Sequence, residues 1–182
     1  MADYKKIIPF ILKWEGGLSK DKNDAYAKHP VPNGTGYHTN KGITWVVFAS
    51  YFGNTTITQE RFMKMTSEDW GIIFKHLFWD AIKGDLITSQ KVADIMVNWA
   101  WGSGVRIPSV QIQQIVGVTA DGNIGPKTIA AINKMDEKEL VTKLKQRNIA
   151  FYETLTANPK YSMFRKGWFN RLNDLYDKYL TK

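Results

Sequence analysis

The sequence contains no cysteine. That absence excludes disulfides, thiolate nucleophiles and cysteine-ligated zinc. Histidine is scarce as well, with 3 in the chain, and the spacing of His29, His38 and His76 matches no tight metal-ligand pattern. No metal or other cofactor is therefore expected. No apolar run approaches the roughly 18 residues of a membrane span. The start, Met1-Ala2-Asp3-Tyr4-Lys5-Lys6, leads into a short apolar stretch broken by Pro9, which makes a poor secretory signal. There is no repeat and no low-complexity segment. What remains is ordinary globular composition, with 43% hydrophobic and 23% charged residues, which excludes disorder, collagen and coiled coil. At 182 residues the chain is one domain, or one domain with a helical appendage.

One sign of charge dominates. The net charge is +8, and residues 134–182 carry 11 Lys/Arg against 6 Asp/Glu. An anionic partner is expected: nucleic acid, a lipid surface or a cell-wall polymer. A plain solubility charge accounts for the same excess.

Helical periodicity prevails. A first helix begins or bends near Pro9 and ends near Trp14-Glu15, with Gly16-Gly17 as its stop. Residues 16–44 read as an irregular segment punctuated by glycine and proline, and long loops of this kind are usually functional. Short extended pieces near Gly17–Ser19 and Gly42–Thr44 are expected to pair. Thr58 is expected to cap a short helix to about Lys64. Ser67-Glu68-Asp69 opens another, with Trp70, Ile73, Phe74, Leu77, Phe78 and Ala81 on one face. Residues 89–101 form a third, and Gly102-Ser103-Gly104 marks a boundary between regions 1–102 and 103–182. Ser109–Val116 is helical, and Pro126 sits at a first helical position. Asp136 and Glu139 make a capping box for a helix to about Leu155. After Pro159, a last helix from about Ser162 carries Phe164, Trp168, Leu172, Leu175 and Tyr179.

Glu15 is the first chemical candidate. At a helix C-terminus it meets the negative end of the dipole, and partial burial beside Trp14 disfavours its charge. Both favour the neutral form that a general acid needs. It also reads as a surface glutamate before a glycine cap. Asp24, and Asp21 before it, could supply the second carboxylate of a glycosidase, or simply form turns. In Thr39-Asn40-Lys41-Gly42-Ile43-Thr44, the last hydroxyl could hold a water. Asp94 and Asn98 share a helix face with Trp101 and either line a cleft or satisfy each other's surroundings. His29 and His38 share the loop of the two aspartates, whereas His76 reads as structural. Asp121 through Thr128 is a turn feeding a helix whose N-terminus could hold an anion. Arg147, Arg165, Lys166 and Arg171 interleave with Tyr152, Phe164, Trp168 and Phe169, a mixture suited to sugars bearing acidic peptides or to nucleic acid.

These signals, taken in order, resemble glycoside hydrolase family 108, the lysozyme-like N-acetylmuramidases of bacteria and phages. The resemblance rests on Ile11-Leu12-Lys13-Trp14-Glu15-Gly16-Gly17, Asp24, Thr39 to Thr44, and Asp94 with Asn98. The segments Gly117 to Thr128 and Phe164 to Arg171 look like the family's C-terminal peptidoglycan-binding domain. The resemblance implies a mainly α fold: a lysozyme-like helical domain with a small irregular β region, then a helical peptidoglycan-binding region. It implies Glu15 as the catalytic acid and water-assisting roles for Asp24 and Thr44. Trp14, Asn40, Asp94, Asn98, Trp101, Asp121 and Arg171 would contact substrate. One departure stands out: Ala25 to His38, carrying Tyr26, His29, Tyr37 and His38, replaces a shorter Pro-Gly-Gly passage. Whether Asp24, Asp21 or neither faces the cleft is left open by it.

The expected activity is hydrolysis of the MurNAc–GlcNAc β-1,4 bond of peptidoglycan. The protein would act as a monomer on the cell wall, after phage-type release or non-classical export, without membrane insertion. A lytic transglycosylase would cut the same bond without a water, and a non-catalytic peptidoglycan-binding module would leave Glu15 dispensable. A nucleic-acid-binding protein ranks last, because no DNA-docking motif is present.

Overall fold

The computed structural model describes residues 1–180 and, for Tyr179 and Leu180, only the backbone. Tyr179, assigned to the last helix's stripe, thus lies outside the side chains described. The chain is mainly α-helical and divides into two compact units, Ile8–Leu77 and Met1–Ile7 with Phe78–Lys182.

The first unit holds α1 (Ile8–Trp14), β1 (Leu18–Ser19), β2 (Thr39–Asn40), β3 (Ile43–Thr44), α2 (Trp45–Phe52), α3 (Thr56–Met63) and α4 (Ser67–Phe74). Pro9 stands in the first turn of α1, where the missing N–H costs nothing. The strands form one antiparallel sheet in the order β1-β2-β3. The two pieces expected to pair directly are instead bridged by Thr39–Asn40. Thr39 faces Ser19 on one side and Thr44 on the other. Aromatic rings fill the core: Phe62 packs edge-on to Trp45 at 5.5 Å and to Phe48 at 5.3 Å, and Trp70 stacks on Phe74 at 4.7 Å.

Two helix starts fall one turn or one residue from their expected places. Thr55, rather than Thr58, caps α3 by accepting from the Thr58 N–H at 3.1 Å. Thr66 caps α4 in a reciprocal capping box with Asp69. The stripe after Phe74 also differs. Lys75–Trp79 is a π-helical turn, and its extra residue rotates the buried face. Leu77 and Ala81 are consequently exposed, and Trp79 and Ile82 are buried in their stead.

The second unit holds α5 (Gln90–Ser103), α6 (Arg106–Val116), α7 (Pro126–Lys134), α8 (Glu137–Ala157), the short α9 (Pro159–Ser162) and α10 (Arg165–Leu180). Ser89 caps α5, Gly117 ends α6 at φ 74°, Pro126 opens α7 and Asp136 caps α8. Trp79 lies so close over Gly84 that a Cβ there would come within 2.3 Å of the indole. Its Nε1 donates to Asp85 Oδ1 at 2.7 Å. Glycine at 84 is therefore a packing requirement.

Candidate active site

Glu15 follows α1 directly and is half-buried, as is Trp14. Its N–H donates to the Leu12 carbonyl at 3.3 Å, a final loosened turn of helix. Gly16 and Gly17 come next, and a Cβ at either would meet nothing within 4 Å. Neither glycine places side-chain bulk after Glu15. The Gly17 carbonyl accepts from Lys41 N–H at 3.3 Å, which ties the Glu15 segment to the β2–β3 hairpin.

That hairpin explains the Thr39-Asn40-Lys41-Gly42-Ile43-Thr44 motif. Lys41 and Gly42 both have positive φ, 48° and 77°, the signature of a type I′ turn. Lysine there is strained by roughly 1–2 kcal/mol, and two contacts hold it. Trp70 Nε1 donates to the Lys41 carbonyl at 2.9 Å, and Lys41 Nζ donates to the Met65 carbonyl at 2.7 Å. The preceding residue, Asn40, is 4% exposed, and its amide donates to the Phe62 carbonyl at 2.7 Å. Asn40 therefore fastens β2 to α3. Thr44 is half-exposed and caps α2, its Oγ1 accepting the Val47 N–H at 3.3 Å. The hydroxyl keeps its own proton for donation to a water.

Both loop aspartates make turns. Asp24 Oδ1 accepts the Tyr26 N–H at 2.8 Å, and Asp21 Oδ1 accepts the Asn23 N–H at 2.9 Å. Asp24 is half-buried and Asp21 exposed. The longer passage that follows is pinned at two places. Val31 is 1% exposed, with its N–H on the Tyr37 carbonyl at 2.7 Å. His38, also 1% exposed, donates from Nε2 to the Asp21 carbonyl at 3.1 Å and meets Thr39 Oγ1 through Nδ1 at 2.9 Å. His29 is exposed. The two histidines thus serve different ends, and among the described residues no group of three potential ligands could hold a metal. His76, expected to be structural, is exposed on the π-helical turn and hydrogen-bonds the Tyr51 hydroxyl. Burial pushes the Tyr51 phenol up from its ordinary value.

The remaining sequence candidates belong to the second unit, where partners explain most of them. Asp94 is 1% exposed and accepts from Gln90 Nε2 at 2.7 Å. Gln90 also brackets the Asp3 backbone, accepting its N–H at 2.8 Å and donating to its carbonyl at 3.0 Å. Asn98 is 6% exposed, and its Oδ1 receives Arg171 Nε at 3.0 Å and Nη2 at 2.9 Å. Asn98 and Arg171 thus tie α5 to α10, while Gln90 ties Asp94 and the start of α5 to the Asp3 backbone. Trp101 is half-exposed, its ring 4.9 Å from Phe78.

Asp121 is a turn residue. Its Oδ1 accepts the Asn123 N–H and Gln113 Nε2, both at 2.8 Å. Those hydrogen bonds, foremost the Asn123 N–H, hold its carboxyl below the usual range. Sequence reasoning missed the organiser, Gln113. It is 1% exposed and also accepts the Gly122 N–H at 2.8 Å and donates to the Asn123 carbonyl at 3.0 Å. An uncharged amide within an amphipathic helix gives no sequence signal of this.

The profile of the glycosyl hydrolase 108 family matches residues 8–104, and that of the "Predicted Peptidoglycan domain" matches residues 107–173. Among solved structures, SagA of Brucella abortus is similar, at 26% identity and a TM-score of 0.74. The match covers 97% of this chain and 93% of that one. No curated protein matches the chain.

Proposed function

The chain belongs to the glycosyl hydrolase 108 family and carries a peptidoglycan domain, which makes it a peptidoglycan hydrolase; from that premise we propose that it is an N-acetylmuramidase cutting the MurNAc–GlcNAc β-1,4 bond, with Glu15 as general acid. The observation that carries this reading is the position of Glu15. It is half-buried at the end of α1, before two glycines that leave open space, and tied through Gly17 to the hairpin bearing Thr44.

In this reading Glu15 gives its proton to the glycosidic oxygen as the C1–O bond breaks. A water held by Thr44 Oγ1 and Asp24 attacks C1 from the opposite face, and its proton passes to Asp24. Asp24 is preferred to Asp21 because it is the less exposed of the two. Trp14, half-exposed beside Glu15, is the substrate contact of this unit. The basic balance of the chain favours approach to an anionic wall and makes that approach salt-sensitive. Endolysin-type lysis of the wall, by a monomer, belongs to the same reading.

Digestion of purified peptidoglycan, with mass spectrometry of the fragments, tests it. Products ending in reducing MurNAc are expected. Anhydro-MurNAc ends would replace hydrolysis by transglycosylation and remove the water-holding roles of Asp24 and Thr44. Reducing GlcNAc ends would move the cut to the other glycosidic bond.

A further inference from the structure

A run of aromatic rings lies on the second unit where α8, α9 and α10 meet. The Trp168 ring is nearly parallel to Phe164, at 23° and 5.4 Å, and lies 6.4 Å from Tyr161 and 5.4 Å from Tyr152. The inner end is packed: Tyr152 is half-buried, and a Cβ at Gly102 would stand 3.0 Å from its hydroxyl. The outer end is open. Phe164 is 48% exposed and Met163 77%, while Trp168 and Tyr161 are half-exposed.

Gly167 supplies a second, independent observation. It is the third residue of α10, is exposed, has no positive φ, and a Cβ there would meet nothing within 4 Å. Neither packing nor backbone conformation requires a glycine, yet glycine is a poorer helix former than any residue but proline. Three residues after Phe164, it bares the helix on the side of that ring. A surface kept free of side-chain bulk next to stacked aromatics accommodates a flat ligand that approaches the backbone closely.

The surroundings are cationic. Lys160, Arg165 and Lys166 are exposed. Arg165 lies over Phe169 at 4.5 Å and donates from Nη1 to Thr156 Oγ1 at 2.9 Å, so its guanidinium is held in place. Pyranose rings present apolar C–H faces that stack on aromatic rings, while the lactyl and peptide carboxylates of a wall strand pair with fixed guanidinium groups. The segment also falls within the matched peptidoglycan domain.

We propose that Phe164, Gly167 and Trp168, flanked by Arg165 and Lys166, form a stacking platform for an N-acetyl sugar of a peptidoglycan strand. It holds the wall while a site elsewhere in the chain cuts it. The proposal rests on peptidoglycan being the substrate, but its test does not require hydrolysis.

The test is co-sedimentation of the full chain with insoluble peptidoglycan in the cold, for wild type, Phe164→Ala and Gly167→Gln, alongside thermal melts. Retention of both variants should weaken about tenfold, the loss of one good aromatic contact. The Gly167→Gln melt should match or exceed wild type, since the new residue is the better helix former. Stability and binding then move in opposite directions, which a merely structural role does not produce. Chitin, an uncharged GlcNAc polymer, should show the same sensitivity to Phe164→Ala at lower overall retention. Wild-type retention of both variants on peptidoglycan would overturn the platform. So would failure of the wild type to sediment, or Phe164-dependent capture on phosphatidylglycerol vesicles in place of peptidoglycan. If retention falls as expected but the wild type releases no glycan fragments, the muramidase reading fails and the platform stands.

Discussion

The indole N–H of Trp70 donates to the backbone carbonyl of Lys41 across 2.9 Å. Lys41 occupies the left-handed turn that brings Thr44 to the start of α2. A fully buried tryptophan on α4 thus holds in place the hairpin assigned to water positioning. Trp70→Phe removes the donor and shrinks the ring. A loss of about 2 kcal/mol is expected in urea unfolding, with a larger fractional fall in wall hydrolysis than in wall retention. Equal falls in both would detach Trp70 from the catalytic hairpin.

Thr44 combines a structural and a chemical task, and two substitutions separate them. Thr44→Ala loses the cap of α2, at about 1 kcal/mol, and also the hydroxyl offered to water. Thr44→Ser keeps both. Hydrolysis should fall sharply in the first and remain near wild type in the second, at a temperature where circular dichroism shows both folded. An active Thr44→Ala protein would remove Thr44 from the mechanism.

Acid should weaken the first unit through Asp69. Burial would raise its pKa, but hydrogen bonds from Arg61 and from the Thr66 backbone and side chain, with the Arg61 charge, outweigh it and hold the carboxyl below its ordinary value. Arg61 Nε lies 2.8 Å from Oδ1 and the Thr66 N–H 3.2 Å from Oδ2. A depressed carboxylate stabilises the fold above its unfolded pKa of about 3.9 and loses that contribution as pH falls through the folded value. Asp69→Asn should therefore melt below wild type at pH 6, with the gap closing below about pH 4. A gap independent of pH would assign the effect to packing alone.

How much of this could be read beforehand varies by element. The glycine stops, the proline at the start of α7 and the cap of α8 are local and were legible. The Glu15 segment and the hairpin motif were legible as sequence. The hairpin's register was not, because it depends on a lysine in a conformation that lysines rarely adopt. The phase change after Phe74 was hidden, since a π-helical turn inserts one residue without altering composition. The sequence leaves Asp94 and Asn98 open between a cleft-facing pair and satisfied structural hydrogen bonds. Their partners come from residues 90 and 171, and the nearest elements of the chain carry no sign of Arg171. The turn at Asp121 is legible in the sequence, but the buried Gln113 amide that organises it is not, because it is uncharged.

The role of Glu15 as general acid is tested by the hydrolysis rate of Glu15→Gln on purified peptidoglycan, measured beside its melting curve. Glutamine keeps the shape and removes the transferable proton. A rate lower by about 10²–10⁴-fold is expected, with the melt unchanged. A folded Glu15→Gln protein that releases fragments at the wild-type rate would contradict it, and the acid would have to be sought elsewhere in the chain.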